Sequence, residues 1–109
     1  MVNEINQMTL KVRQFSEERD WLKFHNPKDL AIALALEASE VLEHFRFKEE
    51  GDRIGLAEEL ADVLNVLLRL ADILEIDIVD FFDKKIEKNA LNYPIEKAKG
   101  NNLKYTELN

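Results

Sequence analysis

Two acid pairs, Glu37-Ala38-Ser39-Glu40 and Glu59-Leu60-Ala61-Asp62, sit inside apolar stretches that repeat at helical spacing. Carboxylates at i, i+3 project from one side of a helix. Burying the apolar face of each stretch therefore draws the acids toward the neighbouring helix. Two such helices packed together could hold four carboxylates around a hard cation.

The rest of the chain suits that arrangement. Gly occurs three times and Pro twice, against an abundance of Leu, Ala, Glu and Lys, so the expected fold is all-α. A length of 109 residues predicts one domain over 1–109, and 46% apolar content predicts a folded one. The charge of −7, from 22 acids and 15 bases, argues against a nucleic-acid surface. A small anionic substrate would then need a metal to bridge it to the protein. There is no cysteine, which removes disulfides and thiolate metal sites and fits a reducing compartment. The stretch Met1-Val2-Asn3-Glu4-Ile5-Asn6 lacks an apolar signal core, and no run approaches the ~18 apolar residues of a membrane helix. The expectation is a soluble, cytoplasmic protein that engages no membrane.

Four helices are readable. Ile5, Met8, Val12 and Phe15 form a seam over about 3–23. Asn26 can cap a second helix that Pro27 opens and that runs to Phe47, with Leu34, Ala38, Val41 and Phe45 on its buried stripe. At roughly 100° per residue, Glu37 and Glu40 fall on the flank of that stripe. Lys48 to Arg53 reads as a polar connection, followed by a third helix over 54–74 with Leu56, Leu60, Val63, Leu67, Leu70 and Leu74 on its core side. Glu59 and Asp62 repeat the placement of the first pair. Asp77 can cap a fourth helix over 78–92, with Ile78, Phe81, Phe82 and Ile86 inward and Lys85, Asn89 and Tyr93 in line on another face. Pro94 ends it, and the tail from about 95 shows no helical period.

Each feature also has a plain structural reading. Trp21, Phe24 and His25 crowd one corner, either as a plug between helices or as a platform for a planar ligand. An acid beside an apolar stripe is costly unless it is protonated, salt-bridged or bound to a cation. Four neighbouring acids favour the cation, because they repel one another without one. An oxygen-only donor set points to Mg²⁺, with Mn²⁺ as a substitute, rather than zinc. The Glu-x-x-His motifs of di-iron bundles are missing, as is a Gly-rich phosphate loop. Magnesium chemistry of this kind is phosphoryl or nucleotidyl attack.

The spacing Glu37-x-x-Glu40 and Glu59-x-x-Asp62 resembles the signature of the all-α nucleoside triphosphate pyrophosphohydrolases of the MazG-like superfamily. So do Phe15-Ser16-Glu17-Glu18-Arg19-Asp20-Trp21, Phe24-His25-Asn26-Pro27, the Lys85, Asn89, Tyr93-Pro94 line and Lys104-Tyr105-Thr106-Glu107-Leu108. Within that superfamily the chain is most similar to the dCTP pyrophosphatase branch. The resemblance implies an oligomeric, four-helix bundle-like domain, dimer or dimer of dimers, that cleaves a nucleoside triphosphate to the monophosphate and pyrophosphate with Mg²⁺. Carried over by position, Glu37, Glu40, Glu59 and Asp62 would be metal ligands and catalytic acids. Trp21 would wall the base with His25 nearby. Lys85 would neutralise phosphate charge, and Asn89 and Tyr93 would contact sugar or phosphates. Where that branch has a second tryptophan after the first acid pair, this chain has Phe47, a smaller stacking group without an indole N–H. The competing readings are a non-catalytic helical oligomerisation module whose acids form salt bridges, and a dUTPase-like enzyme.

Overall fold

The computed structural model describes residues 3–109, so Met1 and Val2 of the N-terminal stretch lie outside the described residues. The fold is all-α, with no strand among the described residues. It comprises two compact units, one ending at Ile76 and the other covering Asp77–Asn109.

The first unit contains α1 (Glu4–Glu18), a 3₁₀ turn (Leu22–Phe24), α2 (Pro27–Glu43) and α3 (Arg53–Ile73). Each long helix begins on a polar side chain that accepts from an otherwise unpaired backbone N–H. Asn3 accepts from Asn6, Asn26 from Asp29 and Asp52 from Gly55. Such caps are worth about 1 kcal/mol each. Asn26 and Pro27 open α2 as the sequence predicts. Asp52 shows that the polar connection before α3 is also a start signal.

The first two helices stop earlier than their periodicity suggests. Helix α1 ends at Glu18 rather than Lys23, because the Trp21 N–H donates to the Ser16 carbonyl (2.9 Å) and the Asp20 N–H to that of Glu17 (3.0 Å). Asp20 takes the left-handed conformation that this closure requires, at φ 55°. Glycine usually fills that position, and its absence hides the stop. Glu75, at φ 56°, closes α3 in the same way. Helix α2 ends at Glu43 rather than Phe47. The N–H groups of Phe45 and Arg46 reach back only three residues, and Phe47 then turns left-handed at φ 62°.

Helix α3 packs against both α2 and α1. A layer of three helices has an interior only where the middle one meets its neighbours, so the buried set among the described residues is small: Leu30, Leu68 and Ala71, with Ser16 and Arg69. The predicted stripes are therefore less buried than expected. Leu34 and Val41 are half-buried, whereas Ala38, Phe45, Met8, Phe15, Leu60 and Leu74 are exposed. Where α2 runs out and α3 begins, an added Cβ on Gly55 would lie 2.6 Å from His44 Cε1. Glycine thus permits the close approach of these two acid-bearing segments.

In the second unit α4 spans Ile78–Asn92 as predicted, capped by Asp77. The tail departs from expectation. Pro94, at φ −60°, starts a single helical turn, α5 (Ile95–Ala98), and a 3₁₀ turn follows at Tyr105–Glu107. Four residues are too few to leave a readable period. Tyr105 packs edge-on against Tyr93, with ring centroids 6.0 Å apart. Ile78 is half-buried, but Phe81, Phe82 and Ile86, expected to point inward, are each more than half exposed.

Candidate metal centre and adjoining cavity

Helices α2 and α3 bring Glu37, Glu40 and Glu59 together, and each offers a carboxylate oxygen within 4.8 Å of the others. Asp62 is not part of this trio. It lies one turn further along α3 and lines, with Glu37, the cavity beside it. Among the described residues no Lys, Arg or His forms an ion pair with any of the four acids.

Their electrostatics are those of charges forced together. Glu37 Oε2 and Glu59 Oε2 are both buried without a hydrogen-bond partner, and a buried polar atom in that condition is costly. A protonated-form hydrogen bond to Glu40, then burial, then the charges of Glu40, Glu37 and Asp62 push Glu59 up to about 7. Burial, followed by the charge of Glu40, raises Glu37 as well. Cation binding resolves both problems, because it supplies the orphan oxygens with a partner and offsets the repulsion. The donor set fits a hard divalent cation, being all oxygen and free of thiol and imidazole.

The cavity has a volume of about 310 Å³ and is built by α1, the 3₁₀ turn, α2 and α3. Phe15, Trp21 and Phe24 give it an aromatic side; Glu37 and Asp62 line it from α2 and α3. Phe15 and Trp21 meet edge to face at 5.7 Å, and the Arg19 guanidinium covers Phe15 at 3.6 Å from its centroid. This packing fixes the aromatic wall even though Trp21 is half exposed. The early stop of α1 matters here, since the reversal at Asp20 turns Trp21 back beside Phe15.

His25 also lines the cavity, and its placement depends on residues that the sequence did not single out. Arg69 Nε donates to His25 Nδ1 at 3.1 Å. Arg69 Nη1 donates to Asp72, which also accepts from Arg13 through Nη2 and, at 2.9 Å, through Nε. Burial and the Arg69 charge lower the His25 pKa, while Arg13 holds the Asp72 carboxyl below its ordinary range. The missed signal was an arginine within an otherwise apolar run, Leu67-Leu68-Arg69-Leu70-Ala71, with an acid three residues on. Ser16, Asp29 and Asn65 are further polar lining residues that the sequence did not single out as part of a site.

Within the first unit, Phe47 is not among the residues lining this cavity. Phe47 is 95% exposed, with Arg46 over its ring at 5.1 Å. Lys85 and Asn89 lie on α4 and Tyr93 is its C-cap, with the Tyr93 N–H donating to the Asn89 carbonyl at 2.8 Å. Asn89 and Tyr93 are half-buried and Lys85 is exposed.

Comparison with known proteins places this arrangement. The chain is 37% identical to human dCTP pyrophosphatase 1 and 35% identical to the rat protein, over 105 residues that cover 87% of the chain. It spans 62% of the length of these relatives. A crystal structure of a pyrophosphatase from Archaeoglobus fulgidus superposes with a TM-score of 0.78 at 34% identity, covering 86% of this chain and 95% of the other. The MazG-like family profile matches residues 32–108, a segment that contains both acid pairs. By that match, and by the all-α fold it shares with a solved relative, the chain belongs to the MazG-like family.

Proposed function

We propose that this chain is a Mg²⁺-dependent nucleotide pyrophosphohydrolase that converts a dNTP or NTP, with a dCTP-like pyrimidine favoured, to the monophosphate and pyrophosphate. The supporting observation is the trio Glu37, Glu40 and Glu59, with two buried and unpartnered oxygens, set beside a cavity with an aromatic wall. The names of the relatives point the same way.

In this reading Glu37, Glu40 and Glu59 hold the metal, with Asp62 as the further ligand. Mg²⁺ held by these residues would supply positive charge to offset that of the triphosphate and of the pyrophosphate leaving group. The carboxylates stay ionised when so engaged, because the cation offsets the repulsion that raises Glu59 in the metal-free cluster. Trp21 offers a face for base stacking, worth about 1–3 kcal/mol, and excludes water from one side of the cavity. We assign phosphate and sugar contacts to Lys85, Asn89 and Tyr93, a cation, an amide and a phenol at i, i+4 and i+8. Phe47 is retained as an additional stacking residue. The exposed apolar side chains Ile32, Leu36, Leu42, Ile54 and Leu60 support assembly into a homodimer or homotetramer. The physiological role that follows is house-cleaning of nucleotide pools.

A panel of dNTPs and NTPs, scored for pyrophosphate and orthophosphate, tests the substrate assignment. The expected result is equimolar pyrophosphate and monophosphate, with pyrimidine deoxynucleotides turned over fastest. Release of orthophosphate, or a purine preference, would count against it.

A further inference from the structure

Arg69 is 6% exposed and lines the cavity, and two of its guanidinium nitrogens are engaged within the protein, Nε by His25 and Nη1 by Asp72. Guanidinium nitrogens only donate, so the His25 Nδ1 that receives the Arg69 Nε–H must present a lone pair. The one ring proton then resides on Nε2. Asp72 orients the donor in turn, taking Arg69 Nη1 on the oxygen that also accepts Arg13 Nε. The chain Arg13–Asp72–Arg69–His25 thus runs from α1 through α3 to the residue that follows the 3₁₀ turn, and ends on a ring that lines the cavity.

We propose that Arg69 is a positioning residue for nucleobase recognition. It locks His25 as the neutral Nε2–H tautomer, so that the ring offers a single N–H donor to an acceptor atom of the base. This rests on the pyrophosphohydrolase reading for the identity of the ligand, but not for the state of the ring. The ligand class it selects is a base with a carbonyl oxygen or unprotonated ring nitrogen at the contacted edge, as a cytosine-type pyrimidine has. The ionisable groups around His25 are Arg69 and, behind it, Asp72 and Arg13; Asp29 and Glu37 of α2 and Asp62 of α3 line the same cavity. Burial and Arg69 both oppose protonation of the ring, in keeping with a neutral donor.

Long-range ¹⁵N NMR of the histidine rings, together with steady-state kinetics, tests the assignment. In the native protein His25 should show an unprotonated Nδ1 and a protonated Nε2. Arg69→Met should let the ring populate both tautomers and raise KM for the preferred nucleotide about tenfold with kcat nearly unchanged, the pattern of lost ground-state binding. Arg69→Gln, which keeps a neutral N–H donor, should restore part of both. In a His25→Phe background the Arg69→Met effect on KM should disappear. A native His25 protonated on Nδ1 would overturn the proposal, as would an Arg69→Met penalty that persists without His25. The spectrum does not depend on turnover. A protein that releases no pyrophosphate but loses the Nε2–H tautomer on Arg69→Met would sink the hydrolase reading while supporting Arg69 as the residue that sets His25.

Discussion

Glu59→Gln should make the metal-free protein more stable while lowering turnover by more than about 100-fold. Outer partners of a metal ligand are typically worth about 10–100-fold in affinity or activity, so loss of a ligand itself should exceed that. The gain in stability follows from the crowding. Glu59 carries an unpartnered buried oxygen, and removing its charge relieves the repulsion from Glu40, Glu37 and Asp62 that raises it. The pH dependence has a definite sign. Glu59 ionises at its ordinary 4.5 in the unfolded chain but only near 7 in the folded one, so the folded state binds the extra proton between these values. Stability of the metal-free wild type therefore falls as pH rises through that window, and is highest below it. Thermal melts should show this slope in the wild type, a shallower one in Glu59→Gln where Glu37 still contributes, and recovery on adding Mg²⁺ only in the wild type. A variant that is less stable than wild type without metal, or that keeps full turnover, would contradict the assignment.

Asp72→Ala should cost about 3–5 kcal/mol, a large part of the stability of a domain this size. The two halves of the Asp72 cluster are unequal. The Arg13 side chain is 43% exposed, and an ion pair open to water contributes little, about 0–1 kcal/mol. The Arg69 side chain is 7% exposed, so removal of Asp72 leaves its charge buried with only His25 as partner. That uncompensated charge sets the size of the effect. Denaturant unfolding at neutral pH should give the full loss for Asp72→Ala and about 1 kcal/mol or less for Arg13→Met. Because the folded Asp72 pKa lies below 3.8, the wild-type contribution is present above that value and is lost as pH falls through the folded pKa. Equal losses for the two variants would show that the arginines are not divided by burial in this way.

What the sequence made legible was local. The boundaries of α4 followed from Asp77 as a cap and Pro94 as a stop, both written in residue type. The acid pairs were visible because i, i+3 spacing beside an apolar stripe is itself unusual, and three of the four acids meet as that spacing suggests. The ends of α1 and α2 were hidden because Asp20 and Phe47 adopt left-handed backbone without the glycine that normally signals it. The network around His25 was out of reach for a different reason. The bonds that tie it to His25 and Arg13 join residues 44 and 59 positions apart, and only the packing of α3 against its neighbours brings them together. Burial was overestimated because periodicity reports which face is apolar, not whether one chain supplies enough neighbours to cover it.

Calorimetric titration with a non-hydrolysable dCTP analogue, with and without Mg²⁺, bears most directly on the claim that the Glu37, Glu40 and Glu59 cluster recruits a nucleotide through a divalent cation. The account predicts binding of the analogue in millimolar Mg²⁺ and its loss on chelation. Equal binding with and without the metal, or none in either condition, would contradict it.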